Sequence, residues 1–475
     1  MNCSYGMGDF PHTIEYEREE IMINKRLLIK NISKIVTVDD EDRVLENQNI
    51  YIEDGIIQYI GTEMRMSDDI IDGRGMFAYP GLINTHHHNY QTFTRNLPQV
   101  QNMELFDWLK YLYRIWQELD QDIVYHSSMT AMGELLKYGC TTSFDHHYVY
   151  PKNSDDFIDA QFKAAEDLGI RFHASRGSMS RGVSDGGLPP DDLVQTTDKI
   201  LMESERLVKK FHDSSKYSMK QMALAPCSPF SVTSELMRES AILGRKLGVR
   251  LHTHLAETLD EEKYCLSTVG MRPLEYMESL GWIGEDVWFA HGIHFNEQEI
   301  ERLGKTKTGV AHCPVSNMKL SSGVANLPAM LRNNVPVGLA VDGSASNDSS
   351  NLMAEMRSAY LLHRLNFGAA APTAYDILKI ATKKGAKLLG RQDIGSIEVG
   401  KAADLFMIDT DRIELVGTLQ DPKNLFGAVG YSSPVDYTIV DGRIIVKKGE
   451  LLTIDEHDIV TRAGVHLNRM LKNII

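Results

Sequence analysis

The middle of the chain alternates two kinds of segment. Between about residues 80 and 390, short apolar runs rich in β-formers are followed by amphipathic helical stretches. Eight of these runs, taken as candidate strands, end near His88, His146, Arg176, Pro226, His254, His291, His312 and Asp342. Repeated β/α units predict an α/β protein, and eight of them predict a distorted (β/α)8 barrel of the TIM type. In such barrels the chemistry lies at the carboxyl ends of the strands.

Both ends of the chain are β-rich. Asp54-Gly55 lies between two such runs near the N-terminus, and Asp441-Gly442 does so near the C-terminus. Asp-Gly in this setting is typical of a two-residue hairpin turn. The two regions are expected to pair into one small β-sandwich, which requires the middle of the chain to close on itself. The predicted organisation is an N-terminal part of the sandwich at 1–79 (1–24 being an extra tail), a catalytic barrel at 80–390, a C-terminal part of the sandwich at 391–455 and a C-terminal helix at 456–475.

Composition argues against several classes of partner and location. The formal net charge of the 475 residues is −15, which disfavours nucleic acid as a partner. No apolar run approaches the ~18 residues needed to cross a membrane, and residues 1–20 lack the layout of a signal peptide. The cysteines are odd in number and form no Cys-x-x-Cys: Cys3, Cys140, Cys227, Cys265 and Cys313. This pattern favours a reducing, cytoplasmic location.

Metal-binding residue types fall at the predicted strand ends. Three imidazoles and a carboxylate are suitable ligands for a divalent ion, and we interpret four residues in this way: His86, His88, His254 and Asp342. Because strand side chains alternate, His86 and His88 point to the same side, into the barrel mouth. The same alternation places His252 on the face of His254, although a structural role is preferred for His252.

Glu257 and His291 remain as candidates to move protons to and from a bound water. Metal ligands and proton carriers together predict a hydrolase. Six segments carry a closer resemblance: 80–88 (PGLINTHHH), 254–258 (HLAET), 290–292 (AHG), 312–317 (HCPVSN), 342–347 (DGSASN) and 395–404 (GSIEVGKAAD). In this order they resemble the amidohydrolase superfamily, and within it the mononuclear deaminases of purines, pterins, cytosine and triazines. The matches run from about residue 26 to about residue 447.

The resemblance implies one divalent metal per chain, with zinc as the first candidate and iron as the second. Superfamily members with two metals typically bridge them with a carboxylated lysine at the end of strand 4. Here Lys220 stands at the beginning of that strand, which ends at Pro226-Cys227. The implied reaction is hydrolytic deamination, in which Asp342 binds the metal and accepts a hydrogen bond from the water that His291 polarises. Glu257 protonates a ring nitrogen and then helps to protonate the leaving ammonia.

Gln91 and Arg176 are the predicted substrate contacts. Gln91 follows His88 by three residues, where related guanine deaminases carry a base-reading glutamine, and its amide offers both a donor and an acceptor. Arg176, at the end of strand 3, is suited to hold a ring oxygen. For both, a hydrogen bond to loop backbone is the alternative. Segments 101–109 and 176–180 resemble enzymes acting on 8-oxoguanine, so 8-oxoguanine or a related purine or pterin is the expected substrate.

Other functions stay open at this point. An s-triazine hydrolase would displace chloride or alkylamine, and a cyclic amidase would require two metals. A non-catalytic binding protein on the same fold usually loses the ligand set. The expected partner is a small heterocyclic molecule, and the resemblance also implies a homo-oligomer. The segment 177–190, rich in Gly, Ser and Pro, is interpreted either as a lid over the site or as an ordinary surface loop.

Overall fold

The computed structural model describes residues 26–151, 154 and 156–472, and the predicted tail at 1–24 lies outside them. The strands of the described chain are β1 (Arg26–Val36), β2 (Val44–Glu53), β3 (Ile56–Gly61), β4 (Asp69–Asp72), β5 (Met76–Pro80), β6 (Leu82–Asn84), β7 (His87–His88), β8 (Cys140–Asp145), β9 (Arg171–Ser178), β10 (Lys220–Pro226), β11 (Arg250–Leu255), β12 (Val287–His291), β13 (Gly309–His312), β14 (Val337–Leu339), β15 (Asp342–Gly343), β16 (Leu405–Asp409), β17 (Tyr437–Val440), β18 (Arg443–Lys447) and β19 (Glu450–Leu451).

The α-helices of the described chain are α1 (Leu105–Trp116), α2 (Gln121–Lys137), α3 (Phe157–Leu168), α4 (Thr197–Phe211), α5 (Ser234–Leu247), α6 (Leu259–Val269), α7 (Pro273–Ser279), α8 (Glu297–Thr306), α9 (Pro314–Lys319), α10 (Leu327–Arg332), α11 (Ser344–Asn347), α12 (Leu352–Phe367), α13 (Ala374–Ile380), α14 (Lys383–Leu388) and α15 (Glu456–Leu471). None of them combines the length and the apolar character that a bilayer-spanning helix needs.

Eight parallel strands form the barrel in the order β6, β8, β9, β10, β11, β12, β13 and β14. A backbone hydrogen bond links the first strand to the last: Thr85 N, directly after β6, donates to Leu339 O of β14 at 3.2 Å. Just beyond them β7 and β15 pair in parallel, with Asp342 opposite His87. The predicted (β/α)8 barrel is confirmed. Its closure brings the end of the first strand beside the end of the last.

Both ends of the chain contribute to one nine-stranded sheet outside the barrel. Strand β5, which leads into the barrel, pairs in parallel with β1 and antiparallel with β16, where Phe406 lies opposite Tyr79. The sheet buries an apolar core of its own that includes Leu27, Ile52 and Met407. The prediction of a small β-domain built from both termini is confirmed.

The two Asp-Gly turns have the expected hairpin geometry. Asp54 and Gly55 have φ values of 50° and 77°, and Asp441 and Gly442 have values of 51° and 74°. Positive φ at both central residues is the type I′ geometry, whose twist matches that of the flanking strands. The turns join β2 to β3 and β17 to β18.

A buried ion pair fixes the barrel to the C-terminal part of the sheet. Arg171 begins β9 and Asp404 directly precedes β16, and both side chains are almost fully buried. Arg171 Nε and Nη2 donate to Asp404 Oδ2 and Oδ1 at 2.9 and 3.0 Å, the bidentate geometry in which a guanidinium binds a carboxylate best. Asp404 is the last residue of the 395–404 signature. That signature therefore joins the two domains and lies apart from the predicted reaction site.

Candidate active site

A cavity lies at the carboxyl ends of the barrel strands. Its lining consists of His88, Gln91, Leu105, Trp108, Leu109, Tyr148, Cys227, Phe230, His254, Glu257, His291, Leu320, Asp342 and Ser346. Helix α1 supplies much of the apolar part, whereas the strand ends supply the polar part. None of the residues 177–190 lines the cavity, but Leu188 N donates to the carbonyl oxygen of Phe230, which does line it. The lid and the surface loop both stay predictions for this segment.

Backbone carbonyls fix the tautomers of two predicted ligands. His88 Nδ1 lies 2.7 Å from the carbonyl oxygen of His146, and His254 Nδ1 lies 2.7 Å from that of Cys227. A carbonyl only accepts, so each Nδ1 carries a proton, and in a neutral ring Nε2 is then the atom with the lone pair. The two Nε2 atoms face each other at 3.1 Å. Two lone pairs at this distance repel unless a cation lies between them, and ligand atoms bound to one zinc ion stand roughly 3.3 Å apart.

A histidine behind the site, His252, fixes the tautomer of the third predicted ligand, His86. His252 Nδ1 donates to Trp288 O at 3.0 Å, so His252 Nε2 is the acceptor that faces His86 Nδ1 at 2.8 Å. His86 Nδ1 therefore donates, and the buried His86 Nε2 has no hydrogen-bond partner. Burial lowers the pKa of His86 well below its ordinary value, which keeps the ring neutral. A neutral imidazole with an unused lone pair is suited to bind a metal.

Asp342 lies beside these imidazoles. Its Oδ1 is 3.2 Å from Nε2 of both His86 and His88. Ser316 and Ser346 donate to Oδ2 at 2.6 and 3.2 Å, which turns Oδ1 toward the histidines. The structure thus brings the four predicted ligands together. His86, His88 and His254 belong to one possible metal-binding group, and Asp342 belongs to a second that shares His86 and also includes His291. Imidazole nitrogens and a carboxylate oxygen fit a divalent metal.

His146 is a further buried imidazole at the centre, to which the sequence assigned no role. It can place a ring nitrogen within 4.8 Å of ligand atoms of His86, His88 and His254. Its Nε2 donates to Ala225 O at 2.7 Å, and its Nδ1 has no hydrogen-bond partner. The centre is therefore richer in imidazole than the four predicted ligands alone.

The His86–His252 bond leads to a prediction about metal affinity. His252→Phe keeps an aromatic ring of similar size but removes the acceptor, which leaves His86 Nδ1 without a partner and its tautomer unfixed. Loss of such an outer partner typically weakens metal binding by ~10–100-fold. Competition with a chelator measures this affinity. An unchanged affinity would show that His252 only fills space.

Glu257 and His291 come together beside the metal ligands. Both side chains are almost fully buried, and His291 Nε2 lies 3.5 Å from Glu257 Oε2. Asn317 Oδ1 lies 2.9 Å from His291 Nδ1 and orients the ring, while Ser322 Oγ donates to Glu257 Oε1 at 3.3 Å. The two candidate proton carriers are thus held facing each other.

The pKa values of this pair shift in the same direction. Burial raises the pKa of the Glu257 carboxyl, and the charge of His291 only partly opposes the rise. Burial alone would lower the pKa of His291, but the carboxylates of Glu257 and Asp342 outweigh it, and the pKa is raised. Both shifts favour the protonated form, as a group that has to donate a proton near neutral pH requires.

Gln91 lies where the sequence predicted a substrate contact. Its side chain is 1% exposed and lines the cavity, and its Oε1 has no hydrogen-bond partner. A Cβ on Gly343 would come within 1.8 Å of that oxygen, so the glycine makes room for the amide. A buried acceptor without a partner is costly unless a ligand satisfies it.

Arg176, unlike Gln91, lies outside the cavity. Its guanidinium donates to Gly177 O and, at 2.6 Å, to Gln195 Oε1, and it stacks on the Tyr150 ring with 3.8 Å between Cζ and the ring centroid. These contacts correspond to the alternative of a loop-binding role. The predicted contact of Arg176 with a ring oxygen stays a prediction.

Comparison with known proteins shows to which family the chain belongs. The sequence profile of the Amidohydrolase family matches residues 77–445. The chain belongs to this family. Zinc-bound atrazine chlorohydrolase of Arthrobacter aurescens TC1 has a similar structure, with a TM-score of 0.90 and 32% identity, over 93% of this chain and 100% of that one.

Two curated relatives extend the comparison. Hydroxydechloroatrazine ethylaminohydrolase of Pseudomonas sp. (strain ADP) is 40% identical over 461 residues, 94% of this chain and 95% of that protein. 8-Oxoguanine deaminase of Pseudomonas aeruginosa is 46% identical over 401 residues, 84% of this chain and 88% of that protein. The assignment as a hydrolase that acts on C–N bonds is confirmed, and so is the resemblance on which it was based.

The lysine that would bridge two metals in this family is absent from the site. Lys220 begins β10, at the opposite end of the strand from the cavity, and its ammonium lies 3.5 Å from the Glu166 carboxylate. No lysine lines the cavity among the described residues. The chain therefore lacks the side chain that a carboxylated-lysine bridge needs at this place.

Sequence reasoning missed the residues that orient the predicted ligands and the proton carrier His291. Ser316, which donates to Asp342, and Asn317, which contacts His291, belong to the 312–317 signature. The single histidine of this signature, His312, instead pairs with His363 at 3.0 Å. Serine and asparagine are too common in loops to be singled out without the structure. For His252, strand alternation was the available signal, because it placed the side chain on the ligand face.

Proposed function

We propose that this amidohydrolase is a metal-dependent deaminase that hydrolytically releases ammonia from an amino-substituted N-heterocycle, most closely 8-oxoguanine. One observation carries the proposal: Glu257 and His291 face each other beside three imidazoles and one carboxylate in a buried cavity. A binding protein would need no such proton carriers. The non-catalytic alternative is therefore disfavoured.

We propose that the site takes one divalent metal, with zinc as the first candidate, since a structural neighbour binds zinc, and iron as the second. His86, His88, His254 and Asp342 would hold it, and the absence of a lysine at the end of β10 argues against a second ion bridged in the usual way. When bound, a divalent metal acts as a Lewis acid that lowers the pKa of water toward ~7 and so supplies a nucleophile at neutral pH.

The chain's own residues then handle the protons and the substrate. Glu257, whose pKa burial raises, is suited to take a proton from the attacking water and donate it to the ring nitrogen next to the reacting carbon. It would then take the second proton from the added hydroxyl and donate it to the amine that leaves. His291 Nε2 faces Glu257 and is suited to polarise the attacking water. Leu105, Trp108 and Leu109 give the cavity an apolar lining that suits a flat ring and excludes bulk water.

The substrate assignment depends on Gln91 and on similarity. A guanine-like ring presents an amide edge, and the unpartnered Gln91 Oε1 would accept from its N–H. The relative with 46% identity is named 8-oxoguanine deaminase, and another, isoxanthopterin deaminase, is 33% identical over 420 residues. Both named substrates contain an N–C(NH2)–N unit, which this reaction requires.

A second candidate is supported to a comparable degree. The relative with 40% identity is an ethylaminohydrolase, and the structural neighbour with a TM-score of 0.90 is an atrazine chlorohydrolase. On such a substrate the same site would displace alkylamine or chloride from an s-triazine. The ligands and proton carriers serve either leaving group, so geometry alone does not separate the two.

A panel of substrates tests the proposal. The purified, zinc-loaded protein is given 8-oxoguanine, guanine, isoxanthopterin, isocytosine, a chlorinated s-triazine and a hydroxylated alkylamino-s-triazine. Ammonia, chloride and alkylamine are measured together. We expect kcat/KM to be highest for 8-oxoguanine with release of ammonia. Preferential release of chloride or alkylamine from a triazine would establish the second candidate instead.

The predicted substrate contacts are tested by Gln91→Ala and Arg176→Ala. If Gln91 binds the amide edge, its removal lowers kcat/KM by an amount that corresponds to roughly 1–3 kcal/mol of lost transition-state stabilisation. The metal content should not change. The loss is expected to be smaller on a substrate that lacks the ring oxygen, because that substrate lacks the matching amide edge. Arg176→Ala should show the same selectivity if it holds the ring oxygen. Equal losses on oxo and deoxo substrates would mean that these side chains hold loops in place.

A further inference from the structure

A second buried glutamate lies behind Glu257. Glu261, in the first turn of α6, is fully buried. Its Oε1 accepts from Ala256 N at 2.9 Å and its Oε2 accepts from Glu257 N at 3.1 Å. One carboxylate therefore uses both oxygens to hold two successive backbone amides, and the second of these belongs to the residue assigned here to proton transfer.

The backbone that Glu261 holds has an unusual conformation. Ala256 has a φ of 54°, in the left-handed region that a side chain disfavours. This turn directs the chain away from β11, so that Glu257 enters the cavity three residues after His254. Because the conformation is unfavourable in itself, it requires contacts that fix it, and the two hydrogen bonds to Glu261 are such contacts.

The same peptide group also ties two loops together. The peptide between Ala256 and Glu257 donates its N–H to Glu261, and its carbonyl accepts from Ile293 N at 2.8 Å and His294 N at 2.9 Å. Hydrogen bonds on both sides of one peptide polarise each other and strengthen together. Glu261 thereby fixes the loop of Glu257 against the loop that directly follows His291.

The hydrogen bonds of Glu261 are not those of a residue that only fills space. No ion pair joins it to a cation among the described residues. Burial raises the pKa of Glu261 to about 7, and the hydrogen bonds from the two amides oppose this rise. A buried carboxylate without a cation is costly. An apolar side chain would fill the volume at less cost but would leave both amides without acceptors.

We propose that Glu261 is a positioning residue that aims the Glu257 carboxylate at the substrate ring nitrogen. The inference rests on the proton-transfer role of Glu257 in the proposed function. Glu261 itself touches neither the cavity nor the predicted metal ligands. Its contribution would be the angle and the distance at which Glu257 meets the ring.

Glu261→Gln tests the proposal with little change of volume. A glutamine offers one acceptor oxygen, so its NH2 group would face the second amide and one of the two hydrogen bonds is lost. A displacement of the catalytic group by about 1 Å lowers turnover by up to ~100-fold. We expect kcat to fall by roughly 10–100-fold, with KM and metal content near wild type. Asp260→Asn, the same acid-to-amide change at the exposed neighbouring residue, should leave kcat unchanged.

A double-variant cycle separates positioning from general damage. If Glu261 acts through Glu257, then Glu257→Gln and the double variant Glu257→Gln/Glu261→Gln should turn over at the same rate. Losses that multiply would overturn the proposal. If Glu261→Gln folds poorly, Glu261→Asp keeps the charge but shortens the reach, and the same kcat-only loss is expected.

Hydrogen exchange tests the positioning without turnover. The amides of Ala256 and Glu257 should be protected in the metal-loaded wild type and should exchange faster in Glu261→Gln, while the rest of β11 is unchanged. Equal exchange in both proteins would contradict the proposal even if no substrate were known. A wild type that releases no ammonia from any heterocycle, but shows this protection, would instead contradict the proposed function alone.

Discussion

The His254→Ala variant is expected to lose bound metal and hydrolytic activity together. His254 Nε2 lies 3.1 Å from His88 Nε2, and both atoms carry lone pairs, so the space between them is where a cation is needed. Removing one of four ligands leaves an incomplete coordination sphere. We expect metal content after dialysis to fall to a small fraction of one equivalent. Activity should fall by more than ~100-fold, beyond what loss of an outer partner costs.

The control is His457→Ala, which removes an exposed histidine on α15. This residue does not line the cavity and lies far along the chain from the residues that do. Elemental analysis and turnover are measured on the same preparations, and thermal unfolding shows whether the variant has folded. Full metal occupancy with normal turnover in His254→Ala would remove His254 from the ligand set. Loss of activity at full metal content would indicate a role in substrate binding instead.

The Glu257→Gln variant is expected to keep its metal and lose turnover by ~10²–10⁴-fold. The amide preserves the size of the side chain and can still bond to Ser322, which donates to Glu257 Oε1 at 3.3 Å, but it cannot carry a proton. Substrate should still bind, because the ligands and Gln91 are untouched. Single-turnover kinetics would place the defect in the chemical step.

Glu275→Gln is the matched control, since Glu275 is exposed on α7. The Glu275 variant should turn over as the wild type does. If Glu257→Gln lost metal but retained its turnover per bound metal, Glu257 would be a neighbour of the centre that shapes it without transferring protons.

Much of this site was predictable because a parallel barrel places strand ends at one rim. Alternating β-rich and helical runs indicated the barrel, and the closure of β7 against β15 brings His86 and Asp342 together from positions 256 residues apart. Residue type then indicated the chemistry. Imidazole and carboxylate at the rim are rare enough, and reactive enough, for spacing alone to single them out.

What the sequence did not show depends on three-dimensional contacts between common residues. The tautomer of His86 is set by His252, whose own proton is fixed by Trp288 O on the adjacent strand. The apolar lining from α1 likewise depends on how a helix packs across the barrel mouth. Arg176 lies two residues before the end of β9, near the predicted strand end, but its long side chain turns toward Gln195, a direction that strand position alone does not decide.

The most direct test of the proposed deaminase chemistry is to follow which oxygen enters the product and which nitrogen leaves it. The zinc-loaded protein is incubated with 8-oxoguanine in ¹⁸O-labelled water, and product mass and ammonia are measured as the substrate is consumed. The proposal predicts one ammonia per substrate consumed and one ¹⁸O at the ring carbon that carried the exocyclic amine. Turnover without ammonia, or a product without ¹⁸O at that carbon, would contradict it.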